Sequence, residues 1–288
     1  MSSGFKTFVL LGALSGLLVG IGYIIGGSGL AIMALIFAGL FNFGAYWFSD
    51  KLALSMAGAK EVTREQEPRL HAMVEEVAQL AGVPKPKVFV IQNESPNAFA
   101  TGRDPKHAVV AVTTGIRRIL TDRELRAVIG HEIGHVKNRD ILTGTIAATL
   151  AGAISYLQTM LIWGTLLGGG RDREGQGNII VALAATIVGG IAAAILQMTI
   201  SRTREFAADK SGAEYTHDPE SLASALGKLQ TGVQIQPMAE NSAGAKAVSS
   251  LYIVHPFRGV GGLGKLFSTH PPVEERIRRL RQMAGYVE

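Results

Sequence analysis

The chain has 288 residues, of which 47% are hydrophobic and 18% are charged, and it carries a formal net charge of +5. This composition is too apolar for an ordinary soluble domain, where about 25% of residues are charged, and it favours a membrane protein. The absence of cysteine excludes disulfides, thiolate metal ligands and a cysteine nucleophile. The sequence lacks the stripe of basic residues interleaved with aromatics that would predict nucleic-acid binding.

Two uncharged segments, residues 8–27 and 29–48, lie near the start of the chain. Each has about the 20 apolar residues that a helix needs to cross a bilayer. The glycines between them predict a tight turn, so residues 7–49 are predicted to form a transmembrane hairpin that ends in interfacial aromatics at 46–48. A cleaved signal peptide is the alternative for the first segment, but it lacks a clear small-residue cleavage site and a second span follows at once.

Residues 50–140 carry many charges of both signs and are predicted to form the first part of a cytoplasmic domain. Thr121 and Glu124 have the spacing of a capping box, which predicts the start of a helix. Periodicity and β-branched residues predict an earlier helix and two strands in a hairpin or small sheet. These elements cover residues 63–81, 88–91 and 108–112.

A second apolar region, residues 141–200, is predicted to form another transmembrane hairpin, because no charge occurs between residues 141 and 170. Buried helices of a large soluble core are the alternative. Residues 201–288 return to mixed charge and are predicted to complete the cytoplasmic domain. Their predicted elements are three helices, over 205–215, after 219 and over 272–283, and a loop over 232–264.

Basic residues are concentrated on one side of the four predicted spans. They are Lys6, Lys51, Lys60, Lys137, Arg139, Arg202 and Arg204, whereas Arg171 and Arg173 lie on the other side. Cytoplasmic loops carry an excess of lysine and arginine, so the larger set is predicted to face the cytoplasm. Both termini and the charged domain then lie in the cytoplasm.

The segment His131-Glu132-Ile133-Gly134-His135 carries the chemistry. Positions i and i+4 of a helix share a face, so both histidines can bind one metal ion while Glu132 reaches the water on that metal. This is the zinc hydrolase arrangement, with two histidine ligands and a glutamate general base. The alternative is a helix with two surface histidines, against which Gly134 argues, because a helical glycine costs about 1 kcal/mol and needs a packing reason.

A catalytic zinc needs a third protein ligand, and the i, i+4 pair Glu205 and Asp209 provides the best candidates. Glu205 is long enough to reach the metal, and Asp209 is placed to accept a hydrogen bond from the ring N–H of a zinc-bound histidine. The alternative is an exposed acidic face that pairs with Arg202 and Arg204, and spacing alone leaves the choice open. Two predicted spans separate His135 from Glu205, so the chain returns to the same side of the membrane and the half-sites can meet.

Four motifs resemble those of the HtpX-type bacterial membrane proteases, which are relatives of the CAAX prenyl proteases. They are HEIGH, SRTREFAAD, NAFATG and STHPPVEERI, at residues 131–135, 201–209, 97–102 and 268–277. The resemblance covers nearly the whole chain and implies a mainly α integral membrane protein of four transmembrane helices. It implies a cytoplasmic gluzincin-like α+β metalloprotease domain with a small β-sheet, one zinc ion bound by His131, His135 and Glu205, and Glu132 as catalytic base.

The resemblance also implies a zinc endopeptidase of the bacterial inner membrane that acts in quality control and stress response on misfolded membrane proteins or unfolded polypeptides. An intramembrane protease would need an apolar motif helix, whereas charges flank this one. A channel or transporter would place ionisable residues inside the spans, and the four apolar segments contain none. An inactive relative is disfavoured by the intact set of two histidines and two glutamates.

Two further residues are weaker candidates for contacts with substrate or with a developing oxyanion. Asn97 begins a segment that is predicted to be an edge strand beside the site, able to pair with an extended substrate. The alternative there is a plain loop with Phe99 in the core. His270 precedes two prolines, and it either approaches the zinc or oxyanion or caps or packs the last helix.

Overall fold

The computed structural model describes residues 3–148, 202–239, 248–257 and 271–285. Its helices and strands are α1 Ser3–Met56, β1 Ala59–Glu61, α2 Pro68–Ala81, β2 Lys87–Ile91, β3 Ala98–Thr101, β4 Val109–Thr113, α3 Thr114–Ile119, α4 Asp122–Lys137, α5 Arg202–Thr216, α6 Pro219–Ile235 and α7 Val273–Met283. Residues 141–148 are also helical. The rest of the predicted second transmembrane hairpin, and His270, lie outside the described residues.

Helix α1 doubles back on itself at Gly27. This glycine has a φ of 63°, in the left-handed region that interrupts a right-handed helix. The amide of Asn42 donates to the hydroxyl of Ser15 at 2.8 Å, across 27 residues of chain. A straight helix of that length would hold the two residues about 40 Å apart, so the two arms lie side by side.

The second arm of α1, Gly27–Met56, is the one helix among the described residues that is long and apolar enough to cross a membrane. Only 11% of the residues in its most apolar stretch are buried. The core helix of a soluble domain would be mostly buried, so this helix is not one. Large apolar side chains such as Leu35, Phe37 and Leu40 are instead exposed. A continuous apolar surface of this kind is suited to lipid.

The soluble part contains a mixed four-stranded sheet with the strand order β1-β2-β4-β3. Strands β2 and β4 pair in parallel, while β1 and β3 pair antiparallel to their neighbours. The predicted hairpin of residues 88–91 and 108–112 is therefore wrong and the predicted small sheet is confirmed. Two parallel strands need a crossover between them, and β3 with its flanking loops supplies it.

Each face of the sheet packs against a different layer, because successive strand residues point to opposite sides. Val110 and Val112 of β4 belong to the main core, which includes side chains of α2, α4 and α6. Phe99 of β3 belongs to a second core with Ala53 and Leu54 at the end of α1. The sheet therefore lies between the helical layer and the end of α1.

Two predicted boundaries were wrong. Helix α2 begins at Pro68 rather than at 63, because the residue before a proline is disfavoured in helical conformation and the proline suits the first helical position. The predicted loop over 232–264 begins later, since α6 continues to Ile235. Within it Ile253 is buried, and its N–H donates to the carbonyl of Ala98 at 3.0 Å.

The predicted capping box at Thr121 is confirmed and also ties α4 to α6. The Glu124 carboxylate accepts from the Thr121 N–H at 2.8 Å and lies 2.7 Å from the Lys228 ammonium. Burial opposes ionisation of Glu124, but hydrogen bonds from Lys228, Ser224 and Thr121 outweigh it and lower the pKa of Glu124 to about 2.

Helices α4 and α5 cross at glycines. A Cβ on Gly212 would lie 2.6 Å from the backbone nitrogen of His131, and one on Gly134 would lie 3.1 Å from the carbonyl oxygen of Ala208. A side chain at Gly212 therefore forces the backbones apart. The contact at Gly134 is the packing reason for the glycine inside the HEIGH motif.

The glycine crossing predicts a specific loss of stability. Gly212→Ala is expected to lower the free energy of unfolding by about 1–3 kcal/mol, because the new methyl group meets backbone atoms that cannot move aside. Thermal unfolding of the full chain in detergent measures the change. Gly227→Ala is the matched control: its Cβ would lie 3.7 Å from Ile277 Cδ1, an ordinary contact, and the variant is expected to be neutral or up to about 1 kcal/mol more stable. Equal losses in both variants would contradict the close crossing.

Candidate metal centre

Three predicted residues converge where α4 crosses α5. His131 and His135 project from α4 and Glu205 from α5, and one ligand atom from each lies within 4.8 Å of the other two. The Nε2 atom of His131 is 3.8 Å from Glu205 Oε2, and that of His135 is 3.5 Å from Glu205 Oε1. These three residues form a group that can hold a metal ion.

The other ring nitrogen of each histidine faces a carboxylate. Nδ1 of His131 lies 2.9 Å from Asp209 Oδ1, and Nδ1 of His135 lies 3.6 Å from Asp140 Oδ2. A carboxylate at Nδ1 holds the proton on that nitrogen and leaves the Nε2 lone pair directed at the shared point. The structure therefore brings Asp209 to the ring where the sequence placed it.

The chemistry of His131 fits a metal ligand. Burial lowers the pKa of His131 to about 4, so the ring is neutral near pH 7 and keeps a lone pair on Nε2. This Nε2 is buried and has no hydrogen-bond partner among the residues that the structure describes. Tetrahedral zinc, with bonds of about 2.0–2.2 Å, separates its ligand atoms by roughly 3.4 Å, which is close to the observed spacings around Glu205.

The turn at the C-terminus of α4 brings Asp140 close to His135. The Asp140 N–H donates to the His135 carbonyl and the Arg139 N–H to that of Val136, which is a Schellman motif. Arg139 takes the left-handed position of this motif, with a φ of 57°. Burial opposes protonation of His135, but Asp140, Glu205 and Glu132 outweigh it and raise the pKa of His135 to about 9. This arrangement of carboxylates favours a cation at the site, and metal binding there would displace the proton.

Glu132 lies beside the two histidines, at the interface of α4 and β3, and is 1% exposed. Burial and the nearby Glu205 raise the pKa of Glu132 to about 7. A hydrogen bond from the backbone of Ala100 lowers the pKa but does not outweigh them. The backbone of β3 therefore contacts the carboxylate that the motif predicts as the general base.

Arg276, which was not among the predicted site residues, is fully buried beneath the site. Its guanidinium binds both oxygens of Asp209, with Nε 2.8 Å from Oδ2 and Nη2 2.7 Å from Oδ1. Burial alone would raise the pKa of Asp209, but Arg276 outweighs it and the value falls to about 2. Two signals were available: Arg276 lies within the motif at 268–277, and it shares a helical face with Leu280, which is buried.

Asn97 lies in the core and joins two segments. Its Nδ2 donates to the Val254 carbonyl at 2.8 Å, and its Oδ1 accepts from the Val254 N–H at 3.3 Å. It therefore holds residues 253–254 against β3, which is the edge strand that the sequence predicted. Phe99 is also buried, in contact with Tyr252. The substrate contact of Asn97 stays a prediction.

The Arg276–Asp209 pair predicts a large and local effect. Arg276→Met leaves the buried Asp209 carboxylate without its cation, so the free energy of unfolding is expected to fall by about 3–5 kcal/mol. Arg281→Met on the same helix is the control, because Arg281 is 54% exposed and lies 3.6 Å from Glu220. This exposed pair contributes at most about 1 kcal/mol. Thermal unfolding of both variants, with metal analysis of the folded fraction, checks the difference, and similar stabilities would rule out a structural role for the buried pair.

The chain is similar to proteins of known class. It matches Peptidase family M48 over residues 64–284. The Protease HtpX homolog of Thermococcus kodakarensis is 51% identical over 280 residues, which cover 97% of this chain and 95% of that protein. The Protease HtpX homolog of Persephonella marina is 52% identical over 280 residues, which cover 97% and 96%.

A solved structure shares the fold. S. mikatae Ste24p is 18% identical with a TM-score of 0.50, and the match covers 96% of this chain and 64% of that one. M48 peptidases use zinc, which agrees with the group of His131, His135 and Glu205. The chain is therefore a member of Peptidase family M48, among the HtpX-type zinc metalloproteases of membranes.

Proposed function

We propose that the chain is a zinc endopeptidase at the cytoplasmic face of the bacterial inner membrane, where it hydrolyses misfolded or damaged membrane proteins. The observation that carries this proposal is the convergence of His131, His135 and Glu205 beside the buried Glu132. Two imidazoles and one carboxylate are the ligands of a catalytic zinc that keeps one position open. We assign these three residues to one zinc ion per chain.

Zinc, when bound, polarises the scissile carbonyl and lowers the pKa of water toward neutrality. Glu132 takes the proton from the attacking water and delivers it to the nitrogen of the leaving amine. Its burial supports this role, since a carboxylate whose pKa lies near the working pH accepts and returns a proton readily. Asp209 and Asp140 orient the two imidazoles through Nδ1.

The position of the edge strand β3 supports the proposal that the substrate binds in an extended conformation. The strand lies at the edge of the sheet, where Ile253 already occupies the Ala98 carbonyl and the Ala100 backbone contacts Glu132. A polypeptide added beside the Ala100 end of the strand would therefore pass the catalytic carboxylate. Such pairing needs a backbone free of its own secondary structure. Unfolded or misfolded segments meet that requirement, whereas compact folded proteins do not, and this supports a role in quality control.

The arrangement around the membrane supports the cytoplasmic assignment. The two arms of α1 lie antiparallel, and the apolar region of residues 141–200 has the length for two more spans. We propose four spans, with Lys51, Lys137 and Arg202 among the basic residues that hold the protease part on the cytoplasmic side. Both termini share that side.

Removing the general base should stop catalysis while keeping the metal. Glu132→Gln is expected to lower kcat by about 10²–10⁴-fold on an unfolded or membrane-protein substrate, because the amide cannot accept the proton. Zinc content is expected to stay near one per chain. Cleavage assays in detergent, paired with metal analysis, check both. A variant that cuts as fast as the parent would show that Glu132 is not the base.

Removing the third ligand should lose the metal itself. Loss of a residue that only hydrogen-bonds to a metal ligand lowers metal affinity by roughly 10–100-fold. Glu205→Ala removes a ligand itself, so it is expected to lower zinc affinity by more than that. Glu214→Ala on the same helix is the control, since Glu214 is exposed and lies 3.7 Å from Lys210. Zinc stoichiometry against a graded chelator measures both variants. If Glu205→Ala retained zinc as firmly as Glu214→Ala, Glu205 would not be a ligand.

A further inference from the structure

A cavity of about 600 Å³ lies where the end of α1 meets the second face of the sheet. None of its lining residues belongs to the metal centre. Five cationic side chains and two carboxylates line it, together with apolar groups such as Leu54 and Phe89. The cations are Lys51, Lys85, Lys87, Arg103 and Lys106. The cavity therefore has an excess of positive charge.

The five cations differ in how far they are already neutralised. Lys85 lies 3.4 Å from Glu75, Lys87 lies 3.1 Å from Glu61, and Arg103 lies 3.7 Å from Asp104. Asp50 and Asp104 accept hydrogen bonds from the backbone N–H groups of Lys51 and Lys106 at 2.8 Å. Across the part of the chain that the structure describes, no carboxylate lies within 4 Å of the ammonium group of either lysine. Both side chains are exposed, so these two ammonium groups keep their attraction for an external anion.

A contact between Arg103 and Trp47 locates the cavity relative to the membrane. The Arg103 guanidinium lies 4.9 Å from the centroid of the Trp47 ring. Trp47 is exposed within the aromatic group at 46–48, a composition typical of the membrane interface. Lys51 follows one turn later, about 6 Å along the helix axis. The headgroup layer is roughly 5–8 Å thick on each side of the hydrocarbon, so Lys51 lies at headgroup level.

We propose that this cavity binds the phosphate of an anionic phospholipid headgroup, with Lys51 and Lys106 as the cationic contacts whose ammonium groups no carboxylate neutralises among the described residues. Inorganic phosphate carries similar oxygens, but a phospholipid also has acyl chains. The exposed Phe48 and Leu52 of α1 provide an apolar surface for those chains beside the cavity. Basic pockets next to transmembrane helices bind such headgroups. This inference goes beyond the proposed function and does not depend on the metal.

The test uses the full chain in a non-ionic detergent. Short-chain phosphatidylglycerol, short-chain phosphatidylcholine and inorganic phosphate are titrated separately. Trp47 is one of two tryptophans, so a Trp163→Phe background isolates its fluorescence beside Arg103. Mass spectrometry of the intact protein–lipid complex detects binding independently of that signal. Phosphatidylglycerol is expected to bind at least about tenfold more tightly than phosphatidylcholine or inorganic phosphate, because it alone combines the net charge with the chains.

Paired variants test the two lysines. The double variant Lys51→Gln with Lys106→Gln is expected to weaken phosphatidylglycerol binding about tenfold or more, since each juxtamembrane lysine contributes several-fold. The control is Lys60→Gln with Lys210→Gln, which removes equal charge from exposed lysines outside the cavity. Thermal unfolding of each variant establishes that it is folded.

Three results would overturn the proposal. The first is equal affinity for phosphatidylglycerol and phosphatidylcholine. The second is an equal loss of affinity in the control pair, which would indicate attraction by net charge alone. The third is inorganic phosphate binding as tightly as the lipid with the same dependence on Lys51 and Lys106, which would assign the cavity to a soluble anion.

Discussion

The close crossing of α4 and α5 is the constraint on which the site depends. Glu205 and the two histidines come from segments about 70 residues apart, and the distance between the two backbones decides whether their side chains meet. Gly134 and Gly212 allow that approach, because each leaves space where a Cβ would press on the other helix. The motif glycine thus serves the geometry of the site through the backbone, while the residues around it supply the chemistry.

A second constraint is charge. The crossing buries Glu132, Glu205 and Asp209 close together, and such carboxylates are costly without compensation. Arg276 compensates Asp209 with two hydrogen bonds, and Asp209 in turn faces the Nδ1 of His131. The orientation of one histidine therefore depends on a side chain from the last helix. This explains how a segment far from the HEIGH motif in sequence is part of the same structural unit.

Features that depend on neighbouring residues were predicted from the sequence, whereas features that depend on contacts between distant segments were not. The i, i+4 spacing of His131 and His135, the capping box at Thr121 and the glycine-rich turn near Gly27 each act within a few residues, so the sequence displays them directly. The parallel pairing of β2 with β4 depends on a crossover that no local pattern encodes. Arg276 lies within the motif at 268–277, but its role is set by Asp209, 67 residues earlier, and no pattern within the motif displays that contact.

The end of α1 also takes part in the packing of the sheet. Ala53 and Leu54, at the end of α1, are packed into the core on the second face of the sheet together with Phe99. Phe99 lies in β3, the strand whose backbone reaches Glu132. Removal of α1 would expose apolar surface in that core, next to the strand that contacts Glu132. The packing itself thus disfavours a stable fragment that lacks α1, and it ties the metal centre to the helix that is long and apolar enough to cross a membrane.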